Sequence, residues 1–280
     1  MSLVAAVLTA CGPVEKPDVD GVPDQLVQES RQFQTSSGLF VAPEAGNNST
    51  GTVEATYLFA RLLDARFSEV ASDATKDALF QAAGSADAPT WGRLMAAAAL
   101  RRAGDARWEG FEDLATSTFD SLPTTISRAD LGTYIVTMDP ILMLSAVSPK
   151  AKLAVFDAQV GNDADEKDAL AVLNRSYLFA NQGEIDGSFV QIQNHLALWV
   201  QSDTTAVPKL IAAADALPVA RRATITDEVR HKASESVASL RGCLHAKLFI
   251  PVSRDKDAGC SIAFTEAARG IEGSMEVEEQ

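Results

Sequence analysis

From Gln25 onward, apolar residues return at helical intervals almost without a break. Leu170, Leu173 and Tyr177 fall at i, i+3 and i+7, and Val229, Ala233, Val237 and Leu240 at i, i+4, i+8 and i+11. The punctuation agrees with this period. Ser148-Pro149 reads as an N-cap followed by a first-turn proline, with Gly161 closing the segment, and Asp139-Pro140 reads as the start of a turn in the same manner. Asp105, Asn162 and Thr226 stand where N-caps belong, and Gly84, Gly104, Gly183 and Gly242 where helices stop. Alternation of β-branched and aromatic residues never lasts beyond about four positions, while Ala, the best helix former, dominates. The spacing therefore predicts an all-α chain of roughly ten helices joined by short turns. The run Met95-Ala96-Ala97-Ala98-Ala99-Leu100 predicts close helix–helix approach at a crowded centre, because alanine lets neighbouring backbones come near. Segments such as 163–168 and 227–232 carry the charges of solvated faces.

With 280 residues, 46% of them hydrophobic, the chain can bury a sizeable core. Lys and Arg number 24 against 38 Asp and Glu, a formal charge of −14. That balance excludes a nucleic-acid role, which requires clustered cations to displace counterions from phosphate. No apolar run approaches the ~20 residues of a membrane span.

The N-terminus reads as an address. Residues 3–10 are apolar, the length of a signal-peptide hydrophobic region and too short for a spanning helix. Leu8-Thr9-Ala10-Cys11 resembles the lipobox of bacterial lipoproteins, with Leu at −3, small residues at −2 and −1 and the obligatory Cys. The resemblance implies a diacylglyceryl thioether on Cys11, which becomes the mature N-terminus. The departure from the pattern is the lack of Lys or Arg before the apolar run, which leaves open a start further upstream. The alternative is a first core helix with an incidental Cys. Residues 12–24 favour the lipoprotein, since Pro13, Pro17, Pro23, Asp18, Asp20 and Gly21 compose a flexible tether. The expected organisation is a signal-peptide remnant at 1–10, a lipidated tether at 11–24, a helical domain at 25–272 and an acidic tail at 273–280. The expected location is the extracytoplasmic side of a bacterial membrane.

With Cys11 committed to lipid, Cys243 and Cys260 remain as an even pair suited to an oxidising compartment. A bridge between them closes a loop of about 18 residues and contributes on the order of 3 kcal/mol; two unrelated buried thiols are the alternative. Zinc is not expected, because His245 near Cys243 lacks the further Cys or His of a tetrahedral set.

A weak internal echo runs through the helical region. Gly38-Leu39-Phe40 precedes a polar loop and a helix opening at Val53, and Lys247-Leu248-Phe249 precedes residues 254–259 and a helix around Cys260. Leu39 to Thr56 and Leu248 to Thr265 are equal steps. Asp186-Gly187-Ser188-Phe189 before 190–200 is a looser copy, and 130–147, entered through Leu131-Gly132, a fourth. This unit resembles the repeat of the α/α-toroid superfamily of squalene-hopene-type cyclases and protein prenyltransferase β-subunits, in which inner and outer helices alternate around a barrel. The resemblance implies a ring whose last repeat meets the first, fastened by Cys243–Cys260; an irregular helical bundle is the alternative.

The chemistry of that superfamily does not carry over. The nearest string to a cyclase Asp-x-Asp-Asp is Asp163-Ala164-Asp165-Glu166, at a predicted helix start where acids suit the dipole. No prenyltransferase zinc set, nucleophile elbow, P-loop or His-Glu-x-x-His motif is present in the sequence. Neither cofactor nor metal is expected. The remaining constellation is Glu184 and Asp186 on a turn, with Gln193, Asn194, His195 and Trp199 on the helix leaving it. α/α-toroid polysaccharide lyases use an Asn-His pair with a Tyr to remove a proton beside a neutralised uronate carboxylate. Asn194 and His195 could take those parts, with Tyr134 or Tyr177 as acid or base. The simpler reading makes His195 a hydrogen-bonded helix residue and Trp199 packing. The expected function is thus a non-catalytic, monomeric domain that binds a cell-envelope protein, glycan or lipid through polar turns such as 46–51, 181–188 and 254–259. A lyase-like carbohydrate enzyme is the alternative.

Overall fold

The computed structural model describes residues 22–43, 50–122, 125–126, 131–144, 155–156, 235, 238–243, 246–251, 259–262, 264–266 and 268. Helices dominate them: α1 (Asp24–Arg31), α2 (Val53–Leu63), α3 (Asp73–Gly84), α4 (Thr90–Arg102), α5 (Glu112–Ser121) and α6 (Leu131–Leu144), with 3-10 turns at Asp64–Glu69 and Ala106–Phe111. Two short ladders accompany them. β1 (Thr125–Ile126) lies parallel to β2 (Val155–Phe156), and β3 (Ile250–Pro251) antiparallel to β4 (Cys260–Ser261). None of the described helices is long and apolar enough to cross a membrane.

The alanine run forms the middle of α4. Residues Leu94 to Leu100 are buried in unbroken succession, so this helix is enclosed on every side rather than amphipathic. α2, α3 and α6 pack around it, and four consecutive methyl side chains let them approach closely. Charge flanks the run, at Arg93 in the first turn and at Arg101 and Arg102 at the C-terminal end. There Arg101 donates to the Met143 carbonyl at 2.9 Å and to that of Leu144, closing the last turn of α6, where a cation also suits the helix dipole. Arg101 stacks on Trp108 as well, 4.5 Å from the ring centroid.

Several start and stop signals act as expected. Asp105 accepts from the Arg107 amide at 3.0 Å and opens the 3-10 turn. α3 closes at Gly84, and α4 is followed by Gly104 at φ +72°. Asp139-Pro140 does not start a turn, however. α6 runs through it, with Pro140 inside the helix. A proline there removes one intrahelical hydrogen bond, and burial of Met138, Asp139, Ile141 and Leu144 holds the segment helical regardless. At the N-terminal side the folded part takes in Val22 and Asp24, which the sequence places in the tether. Val22 is fully buried. Arg66 donates to its carbonyl at 2.6 Å and pairs with Asp24 at 2.5 Å.

The echo between the two ends of the chain has a structural counterpart. The Phe40 amide donates to Thr56 Oγ1 at 2.9 Å, and that hydroxyl donates to the Thr52 carbonyl at 2.7 Å. The Ile250 amide donates to Thr265 Oγ1 at 3.0 Å, and that hydroxyl donates to the Ser261 carbonyl at 2.6 Å. Thr52 and Ser261 also cap alike, accepting from Ala55 N at 3.1 Å and Phe264 N at 3.3 Å. Each hook is thus a strand amide held by the threonine one turn into the following helix. The register differs by one from the sequence alignment: Phe40 corresponds to Ile250, not to Phe249, because 16 residues separate the bonded pair in the first hook and 15 in the last.

The two hooks meet. The Phe249 ring lies 5.3 Å from Phe33 and 6.1 Å from Phe59, and Phe59 stacks in turn on Phe40 at 4.7 Å. The Leu248 amide donates to Glu29 of α1 at 3.0 Å. Burying a phenylalanine such as Phe249 contributes about 2–3 kcal/mol. Cys243 and Cys260 lie 5.4 Å apart at Cα with their sulfurs at bonding distance, so these two cysteines pair.

Candidate functional site

Among the described residues, charged side chains converge where α2, α6 and the last helical residues come together. α6 carries a single charge in fourteen residues, Asp139, and its side chain is 9% exposed. A lone carboxylate in apolar surroundings must find a cation or give up its charge. Arg61, near the end of α2, supplies that cation through Nη1 at 2.6 Å. The second terminal nitrogen of Arg61 bonds Glu266, 205 residues away in sequence. One guanidinium therefore joins the first hook's helix, the proline-bearing helix and the last hook's helix. Tyr57, one turn earlier on α2 and fully buried, presents its ring to Arg61 with the guanidinium carbon 5.9 Å from the centroid.

Among the described residues, two carboxylates meet on this one guanidinium. Arg61 and Glu266 keep about a fifth of their side-chain surface exposed, so the cluster touches solvent from one side. Chemically the arrangement fixes three helices through one guanidinium.

A second, strained position lies close by in sequence. Asp64 ends α2 at φ 49° and ψ −128°, the one described non-glycine residue at positive φ. Its carboxylate pairs with Arg102 at the end of α4. A third cluster is at the surface, where Arg107 bridges Asp105 at 2.6 Å and Asp77 at 2.9 Å while lying 4.8 Å above the Phe80 ring. The hydrogen bonds from Arg107 hold the Asp105 carboxyl below the usual aspartate range, and the two aspartates push the guanidinium pKa up. In the same way Arg66, bonding at 2.8 Å, lowers Glu69. Among the described residues no three His, Cys, Asp or Glu side chains are grouped to hold a metal ion.

Of the residues singled out from sequence, the structure brings Cys243 and Cys260 together. Tyr134 falls in the first turn of α6. Cys11, Tyr177, Glu184, Asp186, Gln193, Asn194, His195 and Trp199 lie outside the described residues, as do most of the polar turns at 46–51, 181–188 and 254–259. The sequence reading missed Arg61, Asp139 and Glu266. The signal was there in the isolated Asp139 of an otherwise apolar helix, but the following proline made it look like a turn.

No family model, curated protein or solved structure shows significant similarity to the chain.

Proposed function

We propose that this chain is a bacterial lipoprotein, anchored through Cys11 on the extracytoplasmic side of a membrane, whose helical domain binds a cell-envelope protein, glycan or lipid without catalysis. The observation that carries the reading is the Cys243–Cys260 pair. With those two cysteines joined, Cys11 is the one thiol left over, and it stands in a lipobox-like string. Disulfides persist outside the cytoplasm, which fits the same compartment. The ten residues from Gly12 to Gly21 span at most about 36 Å when extended, so the domain stays close to the bilayer, with Val22 and Asp24 clamped by Arg66 at its root.

A toroid-like ring is the architecture that goes with this reading. It is supported by the meeting of the first and last hooks, whereas the enclosure of α4 by α2, α3 and α6 suits the alternative, an irregular helical bundle. On this reading the polar turns 46–51, 181–188 and 254–259 are where the ligand binds. The non-catalytic character is supported by the sequence, which carries no nucleophile elbow, P-loop, His-Glu-x-x-His motif or prenyltransferase-type zinc set.

Fractionation tests the anchor. Cys11→Ala should move the protein from the membrane to the soluble fraction, and an unchanged distribution overturns the lipoprotein reading. An absorbance screen for unsaturated uronate products, comparing the natural protein with His195→Ala, tests the absence of catalysis. Activity that disappears in the variant replaces binding with the lyase reading.

A further inference from the structure

The two hooks share their threonine clasp but are fastened differently. In the first, the turn is held down by side chains of a neighbouring helix. Gln34 Nε2 donates to Thr75 Oγ1 at 2.7 Å and to Ser72 Oγ at 3.2 Å, and Thr75 Oγ1 donates to the Gly38 carbonyl at 2.7 Å. The residue before its N-cap is Gly51, where an added Cβ would stand 2.6 Å from the Leu39 carbonyl oxygen. That hook needs bare backbone contact at this point. In the last hook the residue before the N-cap is Cys260, and its side chain runs to Cys243 on the incoming limb. Otherwise, among the described contacts, the limbs are joined by a two-residue ladder and the Ile250–Thr265 clasp, while the Gly242–Phe249 bond at 2.9 Å lies within the incoming limb. A ladder that short does not hold by itself.

We propose that the Cys243–Cys260 bond is a redox lock on the joint between the two ends of the chain: oxidised, it seats the last hook against α1 and α2; reduced, it releases it. The lever is short. Phe249 and Leu248 lie between the bonded cysteines, so the bond limits how far they can leave the Phe33–Phe59 surface and Glu29. The sulfurs differ in access, since Cys243 is half-buried on a turn and Cys260 is 2% exposed. Closure by a protein disulfide oxidant therefore begins at Cys243. Its thiolate attacks the oxidant's disulfide to form a mixed disulfide, and Cys260, having lost its proton, then displaces the oxidant as a dithiol. Two electrons and two protons pass to the oxidant. Reopening by a dithiol must expel the Cys260 thiolate into apolar surroundings, which makes the locked state slow to undo.

This inference does not depend on the lipid anchor. Hydrogen exchange of individual amides in the purified full chain tests it, comparing the oxidised protein, the same protein reduced in place with a phosphine, and the Cys243→Ser/Cys260→Ser double variant. The Leu248 amide, bonded to Glu29, should exchange about a hundredfold faster in both reduced forms, the factor expected for a cross-link of this span. The Phe40 amide, bonded to Thr56 in the first hook, should change by less than about twofold. Unchanged protection at Leu248 overturns the lock, because the hook then seats without the bond. Equal loss at Phe40 overturns it too, because the bond then stabilises the whole fold rather than the joint.

Discussion

Asp105 shows how one side chain serves both local structure and charge. It caps the 3-10 turn through its bond to the Arg107 amide, and the Arg107 guanidinium holds its carboxyl below the ordinary range. A carboxyl depressed in the folded state adds stability above its unfolded pKa, about 3.9, and that contribution is lost as pH falls through the lower folded value. The cap should therefore survive mild acid and fail only below about pH 4. In Arg107→Gln the Asp105 carboxyl should titrate closer to its ordinary value. Carbon chemical shifts of that carboxyl across an acid titration measure both. Asp105 was legible from sequence because capping is a local matter. The strain at Asp64 was not, since its left-handed backbone depends on where α2 must stop against α4.

For the elements, the hook decides more than helix propensity does. Gly38 sits at φ +86°, and a Cβ there would stand 2.4 Å from the Thr75 nitrogen and 2.5 Å from the Ala74 carbonyl carbon. Both backbone conformation and space exclude a side chain. Gly38→Ala should cost about 2–4 kcal/mol in chemical denaturation. Gly84→Ala, whose added Cβ meets nothing within 4 Å, should be neutral or stabilising by up to about 1 kcal/mol. Equal effects at the two glycines would refute the hook as a strained element. The glycine-led hook could be read from sequence as an echo, yet its pairing came out one residue off. Identical letters align Phe40 with Phe249, whereas the threonine clasp aligns Phe40 with Ile250. α6 was misread for a related reason. Proline is a local stop signal, and only burial of the residues around it keeps the helix going.

On the scale of the whole molecule, Arg61 ties together segments that are 78 and 205 residues away. Removing it leaves Asp139 charged and buried without its cation, a loss of about 2–4 kcal/mol once the partial exposure of Arg61 is allowed for. Arg61→Met should lower thermal stability accordingly. Adding Asp139→Leu should restore part of it, because it removes the buried carboxylate while Glu266, about a fifth exposed, turns to solvent. Failure of the double variant to recover would mean that the cluster does more than hold helices.

By itself the sequence determined the helical class, the buried alanine-rich centre and local signals such as the Asp105 cap and the stops at Gly84 and Gly104, and it left Cys243 and Cys260 as an even pair that the structure joins. Each follows from interactions between near neighbours, or from the small number of cysteines to be matched. Only the tertiary structure decided the hook register, the continuity of α6 and the meeting of Arg61 with Asp139 and Glu266. Those depend on which surfaces end up buried together, and the groups that meet there can be 78 or 205 positions apart, as around Arg61, a distance that no local spacing records.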